Sequence, residues 1–115
     1  MTRGAIYHNG ALPVVIAPAE IDITNWTSVH AELLAASRHG ATLVVDMTAT
    51  TFCDSSGIRL FLRARDRAAA GGGELRLAAV GPAVMRAFEL LGADRMLSIY
   101  ATVNEAVRTP SAVEP

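Results

Sequence analysis

The chain has 115 residues, of which 51% are hydrophobic and 18% charged, and its formal net charge is -1. That length supports one compact core rather than two, and the apolar content is high enough to exclude a wholly disordered chain. Arginine supplies every fixed positive side-chain charge because lysine is absent, and the near balance of 10 basic against 11 acidic residues lacks the footprint of a nucleic-acid binder.

Residues 5–8 and 12–17 predict two strands joined through Asn9-Gly10, a pair suited to the positive φ angles of a tight hairpin turn. The apolar stretch 11–19 is interrupted by Pro13 and Pro18 and followed by Glu20, so it is too short to span a bilayer. The N-terminus has no basic segment leading into an apolar run and a cleavage site, so a cytoplasmic protein without membrane attachment is expected. From Trp26 onward, Val29, Leu33 and Ala36 recur at helical spacing, with Thr24 or Asn25 as the cap and Gly40 at the exit.

Residues 42–47 form a short, nearly continuous apolar run, as expected of a strand covered on both faces. A loop at 48–54 follows, and helical patterning over 56–70 stops at Gly71-Gly72-Gly73. This triple glycine follows a helix and precedes a strand. Phosphate-cradling loops have the opposite order, so it reads as a turn. Residues 74–80 predict the next strand, and Pro82 opens a helix reaching Leu91 with Gly92 to close it. A strand at 96–100 and a helix at 103–108, opened by Thr102 and Glu105 at capping-box spacing, complete the order. The alternation predicts a single α/β domain over 1–108: a mixed sheet with an N-terminal hairpin and parallel crossovers, packed by about four helices. Residues 109–115 read as a flexible tail.

The segment richest in chemistry runs from the apolar strand Val44-Val45-Asp46 through Cys53 into Asp54-Ser55-Ser56-Gly57-Ile58. Asp, Ser and Gly are ordinary capping and turn residues, but a helix start also presents free N–H groups that tolerate an anion. The strand, loop and Asp-Ser-Ser-Gly helix start resemble the phosphorylation region of STAS domains, in particular the bacterial anti-sigma factor antagonists. Glu20-Ile21-Asp22 is similar to that family's acidic strand end. Phe88-Glu89-Leu90-Leu91-Gly92-Ala93-Asp94-Arg95-Met96-Leu97-Ser98-Ile99-Tyr100, followed by Asn104-Glu105-Ala106-Val107, is similar to its C-terminal pattern. The resemblance covers about residues 12–108.

It implies an anti-sigma factor antagonist rather than an enzyme. The unphosphorylated form binds an anti-sigma factor serine kinase and releases the sigma factor; phosphate on Ser56 switches binding off, and a separate serine phosphatase resets it. In this reading Asp54, Ser55 and Gly57 shape the phosphosite and Asp22 is a neighbouring acidic member. The domain itself needs no cofactor or metal, because ATP belongs to the kinase partner. The alternative is a STAS scaffold or regulatory subunit of a larger signalling assembly without its own switch.

Two positions depart from the family pattern. Arg59 stands where a small residue is frequent, and it continues at four-residue spacing into Arg63 and Arg67. This stripe is either a solvated helix face or a partner-binding surface, chiefly through Arg59 and Arg63. Ala19 replaces a family glycine before Glu20. Cys53 reads as small apolar packing and Trp26 as core or edge packing. A hydrolase reading, with Ser56 as nucleophile and His8, His30 or His39 as base, lacks both the nucleophile elbow and any group to orient the base.

Overall fold

The computed structural model describes residues 6–10, 12–36 and 42–110. Strands β1 (Ile6–Asn9) and β2 (Leu12–Ile16) pair antiparallel, and Gly10 turns between them at φ 64. Helix α1 spans Trp26–Ala36; the expected exit at Gly40 lies outside the described residues. Strand β4 (Leu43–Asp46), helix α2 (Ser55–Ala70), strand β6 (Leu75–Ala78), helix α3 (Pro82–Leu90), strand β7 (Ser98–Tyr100) and helix α4 (Val103–Arg108) follow. Two further strands, β3 (Glu20–Ile21) and β5 (Phe52–Cys53), pair only with each other.

The main sheet has the order β1-β2-β4-β6-β7, and every pairing after the hairpin is parallel. Alternation along the strands divides the interior into two layers. Val15, Leu43, Val45, Leu75 and Leu77 face a large core shared with Val29 and Leu33 of α1, Phe61 of α2 and Phe88 of α3. Val14, Val44 and Ala78 face a smaller core closed by Ala106 of α4. The central strands are therefore covered on both sides, which accounts for the apolar run over 43–45 of β4.

Arg76 lies on the α4 side of β6 with only 2% of its surface exposed. Its guanidinium pairs with Glu74 at 2.9 Å and donates to the carbonyls of Ala106 and Thr109, both at 2.7 Å, and of Pro110 at 3.3 Å. It also sits 5.6 Å from the centroid of the Tyr100 ring. Residues 109 and 110, expected to belong to the tail, are thus tied to the sheet by a buried charge.

Helix ends follow the sequence signals with small shifts. Gly73 donates back to the Ala68 carbonyl at 2.8 Å, and Gly72 adopts φ 89, so the glycines end α2 as a turn. Gly92, at φ 74, ends α3 in the left-handed region. The strand expected from Met96 begins at Ser98, because Ala93–Arg95 forms a 3₁₀ turn first. The Glu105 amide donates to Thr102 Oγ1 at 3.0 Å, whereas Glu105 Oε1 accepts from the Ala101 amide at 3.1 Å, one residue before the reciprocal partner of a standard box.

Candidate functional site

The site is assembled by the small β3–β5 ribbon, which occupies part of the segment expected to be loop. Glu20 aligns with Phe52 and Ile21 with Cys53 in parallel register. The Thr51 amide donates to the Ala19 carbonyl at 2.8 Å, Thr50 Oγ1 to the Pro18 carbonyl at 2.8 Å, and the Asp54 amide to the Ile21 carbonyl at 3.1 Å. Ala19 keeps negative φ, so alanine introduces no backbone strain where the family pattern has glycine.

Asp54 is the N-cap of α2. Its Oδ1 accepts from the amides of Ser56 at 2.9 Å and Gly57 at 3.2 Å, satisfying two of the orphan donors of the first turn. The helix begins at Ser55, one residue earlier than the pattern indicated, so Ser55, Ser56 and Gly57 form its first turn and not part of the preceding loop. Ser55 is exposed and Ser56 half-buried. Among the described residues the Ser56 hydroxyl has no hydrogen-bond partner, although its own amide is held by Asp54.

Gly57 explains why α2 can lie so close to the ribbon. A Cβ at this position would stand 2.6 Å from Cys53 Sγ, 2.8 Å from Ile21 Cγ2 and 3.2 Å from the Ile21 carbonyl oxygen. Burial, followed by the charge of Asp54, pushes the Cys53 thiol up to about 12, so it stays protonated near neutrality and acts as packing.

Asp22 follows the Ile21 carbonyl directly and turns the chain into α1. Its Oδ1 accepts from Thr24 Oγ1 at 2.5 Å and from the Thr24 amide at 2.9 Å. These bonds, the side-chain one first, hold its carboxyl below the usual carboxylate range. Asp46 makes the same turn with Thr48, at 2.5 and 2.9 Å. Asn25, a candidate cap, directs its side chain backwards instead: Oδ1 accepts from the Asp22 amide at 2.9 Å and Nδ2 donates to the Glu20 carbonyl at 2.7 Å. The ribbon end, the Asp22 turn and the start of α2 thus meet through Ile21.

Between α1 and α2 runs a groove of about 100 Å³ lined by Ile23, Trp26, Ser56, Arg59, Leu60 and Arg63. Arg59 and Arg63 are exposed, and among the described residues neither has a carboxylate partner; the ion pairs found there are Arg65–Asp66 and Arg76–Glu74. Trp26 packs against the main core while lining the groove, with its ring 6.3 Å from that of His30. Burial, then Arg63 and Arg67, hold His30 below its ordinary value of 6.5. Ile23 (68% exposed) and Phe52 (50% exposed) are apolar side chains presented to solvent from the segments that frame the site. Sequence reasoning passed over both, because an isolated apolar residue in a turn or in a strand of two residues carries no periodicity; their only signal is their place beside Asp22 and Cys53.

His8 is exposed on β1, at the edge of the main sheet, and His39 lies outside the described residues. Among the described residues no group of three or more His, Cys, Asp or Glu side chains is arranged to hold a metal ion, and no helix is long and apolar enough to cross a membrane.

A family model described as STAS domain matches residues 5–106. No curated protein is similar enough to count as a match. Among solved structures, a STAS domain protein from Planctomyces limnophilus described as an anti-sigma-factor antagonist superposes with a TM-score of 0.81 at 22% identity, covering 92% of this chain and 96% of that one. An anti-sigma factor antagonist from Mycobacterium paratuberculosis gives 0.79 at 24% identity, with 90% and 89% covered. The Bacillus cell fate determinant SpoIIAA in its phosphorylated form gives 0.66 at 22% identity, with 90% and 96% covered. At these identities the structural likenesses establish the fold.

Proposed function

Since the chain belongs to the STAS domain family, we propose that it is a cytoplasmic anti-sigma factor antagonist, a binding module whose unphosphorylated form captures an anti-sigma factor of the serine kinase type. Capture frees the sigma factor. Phosphate transferred from ATP on the kinase to Ser56 ends the complex, and a serine phosphatase restores it.

The observation that carries this reading is the Ser56 hydroxyl, which has no hydrogen-bond partner among the described residues and stands on the first turn of a helix capped by Asp54. An acceptor hydroxyl in that position can be modified without breaking a structural hydrogen bond. The resulting phosphate brings about -1.5 to -2 charges to a surface that already carries Asp54 and Asp22. A partner seated over the exposed Ile23 and Phe52 meets that charge and bulk at its interface, so it leaves while the fold persists. A structural neighbour, SpoIIAA, solved in both phosphorylated and unphosphorylated forms, supports the choice of a phosphorylated state.

The test is incubation with candidate anti-sigma serine kinases, with and without ATP, followed by site mapping and a binding titration. The expected result is a complex that forms without ATP, loses affinity with it, and carries its phosphate on Ser56. Dominant phosphate on Ser55 or Thr51 would overturn the site assignment. A complex indifferent to phosphorylation would favour a constitutive scaffold.

A further inference from the structure

The groove beside Ser56 contains two guanidinium groups that have no carboxylate partner among the described residues. Ser56, Arg59 and Arg63 are spaced at i, i+3 and i+7 on α2, and all three line this groove. Arg65, on another face of the same helix, is committed both to Asp66 at 2.6 Å and to the Met96 carbonyl at 2.9 Å. The difference makes Arg59 and Arg63 available to a ligand in a way that Arg65 is not. Trp26 and Leu60 supply apolar walls, which reduce solvent screening and strengthen a charge-assisted contact made between them.

We infer that Arg59 and Arg63 clamp the phosphate of phospho-Ser56 on its own helix, so that one modification also withdraws both arginines from the partner-facing surface. This rests on the proposed phosphorylation of Ser56 and adds a means by which it acts. Two guanidinium groups nearly balance the charge of about -1.5 to -2 on a phosphoserine, and their planar forks match its oxygens. In the unmodified chain the same arginines, unpaired among the described residues, can meet an acidic group of the partner. The phosphate then competes with that group for them, besides repelling it.

The test uses the full chain with phosphoserine incorporated at position 56 during translation, which requires no kinase. Phosphorus NMR follows the second ionisation of the phosphate against the same chain unfolded in urea, in a His30→Gln background that removes the nearby imidazole from the titration. Asp54 and Asp22 raise this ionisation and Arg67 lowers it, so the informative comparison keeps all three constant. The expected result is an ionisation about 0.5–1 unit higher in the Arg59→Gln/Arg63→Gln double variant than in its parent, with Arg86→Gln on α3 causing no change. Single Arg59→Lys and Arg63→Lys variants, which keep the charge but lose the fork, should fall between the two. These single variants decide the matter if the double variant fails to fold. Superimposable titrations of the parent and the arginine variants would overturn the clamp. Partner binding is not measured here, so loss of the clamp leaves the switch standing, whereas a phosphoprotein that keeps its partner removes the switch whatever the titration shows.

Discussion

Gly57 and Ile21 meet across the join between α2 and the small ribbon: a Cβ on Gly57 would lie 2.8 Å from Ile21 Cγ2 and 3.2 Å from the Ile21 carbonyl oxygen. That carbonyl also accepts the Asp54 amide, so the residue that caps α2 and the residue that admits it closely are both registered on Ile21. The glycine of Asp-Ser-Ser-Gly is therefore required by close approach, and its φ lies outside the positive range that favours glycine.

Gly57→Ala should destabilise the domain by about 1–3 kcal/mol, the usual range for overpacking a well-filled site. Cys53 Sγ is the nearest obstruction at 2.6 Å, so adding Cys53→Ala should recover part of the loss. Urea unfolding of the two single variants and the double variant measures this coupling. Strict additivity would mean that the alanine methyl is accommodated away from the thiol.

The helix at Ser55–Ala70 was legible because buried Ile58, Leu60, Phe61, Ala64 and Ala68 follow its period and three glycines stop it. The β3–β5 ribbon was not, since strands of two residues, Glu20–Ile21 and Phe52–Cys53, are too short to display a period. The resemblance brought Asp22 into the candidate site, but only the ribbon pairing explains how its segment reaches α2. Burial of Arg76 was equally hidden. In Leu75–Ala78 a charged residue reads as solvent-facing until α4, a helix of 6 residues, is found covering that side of the sheet.

Arg76→Ala should cost about 3 kcal/mol or more, because it removes one member of a buried ion pair together with the donor to the carbonyls of Ala106 and Thr109. The loss should be concentrated at α4. Hydrogen exchange is expected to accelerate most over residues 103–110, with protection retained in α2. Equal acceleration in both helices would indicate that Arg76 supports the whole sheet and not the α4 side alone.

His30 supplies a pH dependence whose sign is fixed by its environment. Burial and then Arg63 and Arg67 lower its folded-state value below 6.5, so the unfolded chain binds this proton more readily. The neutral imidazole's contribution to stability is complete above pH 6.5. It declines as pH falls through 6.5 and is lost below the folded-state value. Thermal melts between pH 7.5 and pH 5 should show a smaller decline for His30→Gln than for the parent chain. Identical pH profiles would exclude His30 as a source of acid sensitivity.

Ser56→Asp should abolish partner binding while leaving helix content and melting temperature close to those of the parent chain. The substituted carboxylate lies at the second residue of α2, where negative charge is favourable to the helix dipole, and the hydroxyl it replaces makes no hydrogen bond among the described residues. Its energetic effect should therefore appear at the interface, where a neutral hydroxyl framed by Ile23, Arg59 and Arg63 becomes an anion. Aspartate has less charge and fewer oxygens than phosphate, so translated phosphoserine at the same position is the stronger comparison, and Ser56→Ala should bind constitutively. Circular dichroism and calorimetric titration on the same samples separate folding from association. If both the aspartate and phosphoserine forms bind the anti-sigma factor as tightly as the unmodified chain, Ser56 is not the switch and the groove serves a constitutive contact.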